Sequence, residues 1–417
     1  MEKLKKILTI LIFIIIVVLI GYAIYSVFFK PEQPPITGEP TPTFPSGLPT
    51  QPPTGLPITP TEPSEPGALT PSGIVIPTQQ TPTITEPVIS DRISGGLVIS
   101  NNIYSQTASF PSTSGTSNGL NFYDKETGLF NRITPDGQIK ILSSRSFPDV
   151  ENVSWSPVSD KAVLEFPDGS NIIYDFVNDK SFNLPEQYED FSFSPQGDQI
   201  AAKDLKLNPE DRWLVAVDSE GKNKTLIEHL GKNEKRVQVK WSPNNRIVGT
   251  SAESIDGNRA EVIFLTKDGS QLTKAIVQGR DLRYQYAPSG NKIVYSVYNS
   301  NSNYLPTLWL TSTNPSAIDQ GRIDTGLNTW ADKCTFANER TLYCAVPKEI
   351  VPRSGILTSL NDSVDNIYRI DTSSGEVSLA AEPITPTVIQ SMSMSKDGNT
   401  IFYIDGENGN IKTISTK

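Results

Sequence analysis

The sequence has very little of the chemistry that most catalytic and metal-binding sites require. Its 417 residues include one histidine, His229, two cysteines, Cys334 and Cys344, and three methionines. A single imidazole cannot build the multi-histidine sites of catalytic zinc or the two-histidine site of nonheme iron. Phosphate-binding loops, EF-hand loops and CxxC pairs are also missing from the sequence. We therefore expect no cofactor, no metal and no catalytic residue.

The chain is also poor in positive charge, with a formal net charge of −10 at pH 7. Residues 31–90 contain no basic residue, and residues 91–417 contain 32 basic against 40 acidic residues. A surface of this sign repels phosphate backbones and anionic lipid headgroups. Nucleic acid is therefore not an expected partner.

One long apolar run is present, at residues 7–29, directly behind Lys3, Lys5 and Lys6. At about 1.5 Å per residue, this run crosses a hydrocarbon core of about 30 Å and predicts a transmembrane helix. Because the lysines precede the run, we expect residues 1–6 in the cytoplasm and the rest outside a single-pass cell membrane. The alternative is a signal peptide cleaved near Ala23, but the continuation of the run to Phe29 favours a retained membrane helix.

Proline is concentrated behind this run, because residues 31–90 hold 17 of the 33 prolines and many Thr and Ser. Such a composition buries too little apolar surface to offset chain entropy, so residues 30–90 are predicted to form a disordered linker. At about 3.1 Å per residue, a fully extended polyproline II chain of this length reaches about 190 Å. We expect the linker to hold a folded domain clear of the membrane.

The remaining residues, 91–417, repeat one short unit: an anchor residue, a Ser-Pro or similar box, a turn and an apolar strand. The anchors lie 38 to 58 residues apart and are Trp155, Phe193, Trp241, Tyr286, Phe336 and Met394. A period of about 40 to 50 residues made of short strands is typical of propeller blades. A second turn, Asp or Thr followed by Gly, predicts another hairpin and thus four strands per unit.

These observations predict an all-β propeller over residues 91–417. A first unit at about residues 95–146 lacks the Ser-Pro box, and six further units follow it. We therefore predict seven blades, with six or eight as alternatives. A β-sandwich is disfavoured, because a sandwich has no reason to repeat the box at this period.

The boxes that follow Trp155, Phe193, Trp241 and Tyr286 resemble the blade repeat of the TolB-like propeller superfamily, whose units carry an aromatic-Ser-Pro-Asp-Gly turn. The resemblance covers residues 147–405 and implies blade architecture, but little about activity. Members of the superfamily include a soluble six-bladed periplasmic protein with a separate N-terminal domain, propellers that precede serine peptidase domains, and sugar lyases. The predicted membrane helix, the linker and the lack of a second predicted domain differ from all of these, so the resemblance implies no specific partner.

Several residues deserve a functional interpretation beside a structural one. Residues 115–119 match the G-x-S-x-G nucleophile elbow, but a polar run precedes them and a strand follows, which predicts a flexible loop in the first blade. His229 is predicted to lie on a strand-end loop. Cys334 and Cys344 flank a predicted hairpin, where a three-residue loop would place them opposite each other as a disulfide. A four-residue loop would offset them by one position and turn the side chains apart, and the alternative to a disulfide is two buried free thiols. The densest polar and aromatic group comprises Arg280, Arg283, Trp330, Asp332 and Lys333, which either line a recess or form a solvated loop set.

The sequence thus favours a membrane-tethered, extracytoplasmic propeller that binds a protein or a cell-wall glycan without catalysis. A carboxylate-based glycosidase or polysaccharide lyase is the alternative, and it requires a group of acids at one end of the propeller channel. A structural element of the cell surface is the second alternative.

Overall fold

The computed structural model describes residues 98–99, 108–113, 115–270, 274–318, 320–350, 360 and 363–416. The predicted membrane helix at residues 7–29 and the predicted linker at residues 30–90 lie outside these ranges. Within the described ranges, no helix has the length and apolar character needed to cross a bilayer.

The described residues form seven antiparallel sheets of four strands each. The first three complete blades are built, in chain order, from β2 (Ala108–Ser112), β3 (Leu120–Asp124), β4 (Leu129–Ile133) and β5 (Ile139–Ile141), then β6 (Asn152–Trp155), β7 (Lys161–Glu165), β8 (Asn171–Asp175) and β9 (Lys180–Leu184), then β10 (Tyr188–Phe193), β11 (Gln199–Asp204), β12 (Trp213–Asp218) and β13 (Thr225–His229).

The next three blades follow the same order. They are built from β14 (Val237–Val239), β15 (Ile247–Asp256), β16 (Arg259–Thr266) and β17 (Ala275–Val277), then β18 (Arg280–Tyr286), β19 (Lys292–Tyr298), β20 (Thr307–Ser312) and β21 (Ile323–Asp324), then β22 (Cys334–Phe336), β23 (Thr341–Pro347), β24 (Asp365–Asp371) and β25 (Val377–Ala381). The helical elements among the described residues are single 3-10 turns at Pro209–Asp211, Glu234–Arg236 and Ala331–Lys333.

The seventh blade combines the two ends of the described chain. Its strands β26 (Ile389–Met394), β27 (Thr400–Asp405) and β28 (Ile411–Ser415) are completed by β1 (Val98–Ile99), which pairs antiparallel with β28. Val98 lies opposite Ser415 and Ile99 lies opposite Ile414. The first strand therefore closes the ring as the outermost strand of the last blade, and the prediction of seven four-stranded blades is confirmed.

The Ser-Pro boxes form the turns between the first and second strands of their blades. In two of these boxes, and in the related Ser-Lys box at Ser395, the buried serine hydroxyl accepts a hydrogen bond from the backbone N–H five residues later, as Ser242 does from Ile247 at 2.9 Å. The residue three positions after the serine has a positive φ, 70° at Gly197 and 60° at Asn245. Glycine and asparagine tolerate this left-handed conformation better than other residues, which explains their place in the repeat.

Apolar side chains form seven clusters, each shared by two neighbouring blades. The cluster between the third and fourth blades, for example, joins Ala201 and Leu214 to Val237 and Val248. The six anchors each belong to or pack against a different cluster: Trp155, Phe193, Trp241, Tyr286, Phe336 and Met394. Each repeat thus supplies one large side chain to one blade interface, and the seventh cluster packs the last blade on the first.

One detail of the predicted repeat differs in the structure. The second predicted turn joins the third strand to the fourth in the copies near Asp218, Asp268 and Asp371, but the copy at Asp124 joins β3 to β4, the second and third strands. There, the Gly128 N–H donates to the Asp124 carbonyl at 2.8 Å. A hairpin turn has the same local chemistry wherever it falls in a blade, so its sequence does not report which strands it connects.

Strand direction alternates within each blade, so the connections fall on two faces of the ring. The box face carries the turns from first to second strand and from third to fourth. The loop face carries the connections from second to third strand and from the fourth strand to the next blade.

Candidate binding surface at the loop face

Four of the five predicted polar and aromatic residues come together at the loop face, where the fifth blade meets the sixth. The guanidinium carbon of Arg283 lies 3.8 Å from the centroid of the Trp330 ring. The same guanidinium forms ion pairs with Asp281 at 3.0 Å and with Asp332 at 3.2 Å. An arginine stacked on tryptophan and held by two carboxylates has few rotamers left, so this group is preorganised.

A bulge in β18 brings Arg280 to the same side. Arg280 lies opposite Tyr298 and Arg283 lies opposite Ser296, so an advance of three residues along β18 corresponds to two residues along β19. The extra residue falls beside Asp281, whose φ is 55°. Residues directly opposite each other in an antiparallel pair share a face, and so do residues two apart on one strand. Both arginines therefore face the sixth blade, whereas a regular strand would place them on opposite faces.

Two tyrosines that the sequence did not single out complete the surface. The Arg280 guanidinium lies 5.8 Å from the centroid of the Tyr298 ring. That ring contacts Trp330 edge to face, with 6.2 Å between centroids, and lies 6.4 Å from the ring of Tyr304. We name Arg280, Arg283, Tyr298, Tyr304 and Trp330 the Arg-Trp cluster. Arg280 is exposed, and both tyrosines are half-buried.

The segment that carries Trp330 is fixed from several directions. The Gln285 amide donates to the carbonyls of Ala331 at 2.9 Å and Cys334 at 3.0 Å. The Ala331 N–H donates to the Ser296 hydroxyl at 3.0 Å. Because all three bonds join this segment to side chains of the fifth blade, the position of Trp330 relative to Arg283 is set by the scaffold rather than by a free loop.

The fifth predicted residue, Lys333, does not join this surface, because its side chain is buried. Its ammonium lies 2.7 Å from a carboxylate oxygen of Asp365, which also accepts a hydrogen bond from the Ile389 N–H. Burial lowers the pKa of Lys333 and raises the pKa of Asp365, and each charge opposes the shift of the other. Removing one partner would leave the other as an unpaired buried charge, so the pair has a structural role.

Side chains of the innermost strands connect each blade to the next around the axis. Ser154 donates to the Phe191 carbonyl at 2.8 Å, and Gln238 donates to the Leu282 carbonyl at 2.7 Å. The ammonium of Lys240 donates to the Tyr284 carbonyl at 2.7 Å. An innermost strand has a neighbour on one side only, so its free carbonyls need such partners. These hydrogen bonds engage some of the backbone carbonyls at the strand edges that line the propeller axis.

A second group on the same face, at the second and third blades, is acidic. Glu165 ends β7, and its carboxylate accepts a hydrogen bond from the Asn152 amide at 2.8 Å. Burial, together with the charges of Asp190, Glu189 and Glu151, raises the pKa of Glu165 to about 7. Asp190, in turn, forms an ion pair with Lys203. The sequence could not select these four acids from the forty in the domain, because β6, β7 and β10 bring them together.

Residues 115–119 form the turn from β2 to β3 on the box face, and no helix follows them. The loop prediction thus agrees with the structure, but the turn is held rather than flexible. Asp160 accepts bonds from the Thr116 N–H and hydroxyl, and it forms an ion pair with Arg132 at 2.6 Å. A Cβ at Gly115 would come within 2.6 Å of Asp160. Position 115 needs glycine because a side chain would collide with Asp160, and the match to the G-x-S-x-G pattern is coincidental.

His229 ends β13 rather than lying on a loop. Its ring contacts Trp213 with 5.0 Å between centroids, and its Nε2 lies 2.9 Å from the Glu210 carbonyl. Cys334 and Cys344 lie directly opposite each other in β22 and β23, with Cα atoms 4.0 Å apart, and a disulfide joins them. Among the described residues, no group of three or more His, Cys, Asp or Glu side chains is arranged to hold a metal ion.

The architecture defines the class: the described part of the chain is a seven-bladed β-propeller. A structure titled hydrazine synthase, from Kuenenia stuttgartiensis, is similar, with a TM-score of 0.51, 13% identity, and coverage of 78% of this chain and 98% of that one. The β-propeller domain of Cps50 (Swd1) from Myceliophteria thermophila gives a TM-score of 0.48, 11% identity, and coverage of 77% and 99%. At these identities the likeness concerns the fold alone. No family model and no curated protein sequence matches the chain.

Proposed function

We propose that this protein is a noncatalytic binding module, a TolB-like propeller tethered by residues 7–29 to the outer side of a cell membrane, whose Arg-Trp cluster holds a partner. The carrying observation is the stacking of Arg283 on Trp330 at 3.8 Å beside the exposed Arg280. Trp, Tyr and Arg are the residues most enriched at binding hot spots. Their rigid placement limits the entropy lost on binding.

The TolB-like relationship is supported by the Ser-Pro boxes, in which the buried hydroxyls of Ser194 and Ser242 close the inner hairpins of their blades. The membrane tether and the extracytoplasmic site are supported by the apolar run and by the lysines ahead of it. The residue types of the cluster favour a protein over a cell-wall glycan as the partner.

Site-specific photocrosslinking in intact membranes tests this function. A photoreactive side chain at Tyr304, on the loop face, should yield one discrete crosslinked product, and Arg283→Ala should reduce its amount. The control carries the same group at Val177, which is 72% exposed on the box face. Equal products from both positions, or none from Tyr304 in a folded protein, would contradict the proposal.

The acidic group at Glu165 favours a second candidate function, glycoside cleavage. A carboxyl with a pKa of about 7 is protonated often enough at neutral pH to act as a general acid, and neighbouring ionised carboxylates can serve as base or nucleophile. The test is release of reducing ends from cell-wall polysaccharide. This candidate requires activity in the wild-type protein that Glu165→Gln removes, and equal results for both proteins eliminate it.

A further inference from the structure

The outermost strand of the first blade, β5, carries two exposed isoleucines. All three of its residues are exposed, with Ile139 at 48% and Ile141 at 63%. Among the other outermost strands whose burial the structure describes, exposed large apolar side chains occur singly, as Leu226 in β13 and Ile276 in β17. Single apolar side chains on a surface need no explanation, whereas neighbouring ones on a strand edge mark a potential contact.

Both isoleucines lie on the face of the first blade that is turned toward the seventh. Ile139 lies opposite Ile133 in the ladder between β4 and β5, and residues opposite each other share a face. Ile133 belongs to the cluster that packs the last blade on the first. Ile141 is two residues further along β5, so it shares the face of Ile139. The pair therefore lies at the outer rim of the interface between these two blades.

The chain enters the propeller at the same rim. Residues 1–97 precede β1, which is the outermost described strand of the seventh blade. Val98 lies opposite Ser415, two residues from Thr413. Thr413 lies opposite Phe402, which belongs to the cluster between the last blade and the first. The ladder position of Val98 is therefore on the side of the first blade. A further strand paired with β1 would lie beside the two isoleucines.

The sequence directly ahead of β1 predicts such a strand. Residues 88–94 read Val-Ile-Ser-Asp-Arg-Ile-Ser, and a Gly-Gly pair at 95–96 separates them from the apolar residues 97–99. A Gly-Gly pair between two β-prone runs is typical of a two-residue hairpin turn. This turn fixes the register and places Ile93 opposite Val98. Ile89, four residues earlier, falls on the same face as Ile93.

We propose that residues 88–94 add a fifth strand to the seventh blade, as a hairpin with β1, and dock on the first blade. Ile93 lies near the box-face end of the strand, beside Ile139. Ile89 lies nearer the loop face, on the side of Ile141. The occupant of the exposed edge is thus the segment of this chain that ends where β1 begins, and two isoleucines meet two isoleucines. The proposal does not depend on the proposed binding function.

The docked strand also determines where the linker joins the propeller. In the seventh blade β1 runs from the box face to the loop face, so its hairpin partner runs in the opposite direction. The linker then ends before Val88 and meets the propeller at the loop face. This is the face that carries the Arg-Trp cluster. A partner held by the cluster therefore lies on the side of the propeller that the tether enters.

Hydrogen–deuterium exchange of the full-length protein in detergent micelles, read by mass spectrometry, tests the strand. Residues 43–56 of the predicted linker provide the internal reference. The amides of residues 88–94 that donate to β1 should exchange at least about tenfold more slowly than the reference amides, relative to their intrinsic rates, because a strand ladder protects them.

Variants separate the turn from the docking contact. Gly95→Val with Gly96→Val places β-branched residues where the turn needs positive φ, and should return residues 88–94 to the exchange rate of the reference. Ile139→Ser with Ile141→Ser removes the apolar contact and should have the same effect. The matched control is Leu226→Ser with Ile276→Ser, which changes two exposed apolar residues on other outermost strands and should leave the protection unchanged.

Exchange of residues 88–94 as fast as that of the reference in the wild type would overturn the proposal. Protection that persists in the Ile139→Ser, Ile141→Ser variant would equally show that the strand does not dock on the first blade. Protection that rises with protein concentration would assign the exposed edge to a second copy of the chain, which also contradicts the proposal.

Discussion

The ammonium of Lys240 donates to the backbone carbonyl of Tyr284 across the interface between the fourth and fifth blades, at 2.7 Å. Gln238 and Gln285 make the same kind of bond at neighbouring positions, but without a charge. Burial lowers the pKa of Lys240. The lysine thus makes a bond that a neutral side chain can make without desolvating a charge.

We expect Lys240→Gln to be as stable as the wild type at pH 7, whereas Lys240→Met loses about 1 kcal/mol because the Tyr284 carbonyl is left unpaired. Between the lowered pKa of Lys240 and the ordinary lysine value, the unfolded chain binds more protons, so wild-type stability rises with pH. That rise should shrink in Lys240→Gln. Urea unfolding from pH 7 to 10 measures both effects. A Lys240→Gln variant less stable than Lys240→Met would contradict this view.

The turn at residues 115–119 should depend on its glycine and not on its serine. Gly115 has a φ of 97°, and a side chain there would collide with Asp160, so Gly115→Ala should cost about 1 to 3 kcal/mol of folding free energy. Ser117 only accepts a bond from the Gly119 N–H at 3.2 Å, so Ser117→Ala should cost less than about 0.5 kcal/mol. Urea denaturation of both variants checks this, and the reverse order of stabilities would refute the structural role of the glycine.

The disulfide between Cys334 and Cys344 should stabilise the sixth blade. It closes a loop with a sequence separation of 10 residues, and chain entropy assigns such a loop about 3 kcal/mol. The variant with both cysteines replaced by alanine should lose roughly this amount in urea unfolding. Alkylation of the unfolded, unreduced protein followed by mass spectrometry is the direct check, and two alkylated thiols would show that no bond forms.

Glu165 should make stability depend on pH near neutrality. Its folded pKa of about 7 lies above the ordinary glutamate value, so the folded state binds more protons between about pH 4.5 and 7. Stability therefore falls as pH rises through this window. Glu165→Gln keeps the acceptor for Asn152 and should flatten the fall, with a gain of about 1 kcal/mol at pH 8 because solvent screens part of the penalty.

Thermal unfolding from pH 5 to 8 measures the effect of Glu165→Gln. Glu126→Gln is the matched control, since that exposed glutamate lies in a turn on the same face. Equal pH profiles for the two variants would show that the Glu165 carboxyl is not perturbed.

The repeat in the sequence was sufficient to predict the blades, because each anchor fills one interface between sheets and each box serine closes one hairpin. Trp241 illustrates this: its ring is buried in the cluster between the third and fourth blades, and the hydroxyl of the next residue, Ser242, caps the turn. Local chemistry and global packing coincide at such positions, so the spacing alone gives the architecture.

The surface was less predictable. Arg280 and Arg283 share a face only because Asp281 adopts a left-handed conformation in a bulge, and an Asp-Leu pair is a weak signal for a bulge. Tyr298 and Tyr304 looked like ordinary strand and loop residues. Glu165 and Glu189 belong to different blades, so only the ring geometry brings them together. Lys333 was grouped with the surface residues because closeness in sequence does not show whether a side chain points into the core or toward solvent.

Backbone closure of the ring consists of two residue pairs, Val98 with Ser415 and Ile99 with Ile414. The side chains that pack the last blade on the first come from the first three strands of the two blades, with Phe122 and Phe402 on second strands, inside the outermost one. Mechanical tension applied to the chain at Val98 therefore acts first on a ladder of two residue pairs, as short as the one between β20 and β21. We expect β1 to detach and re-form under load while the side-chain packing between the first and seventh blades keeps the ring closed.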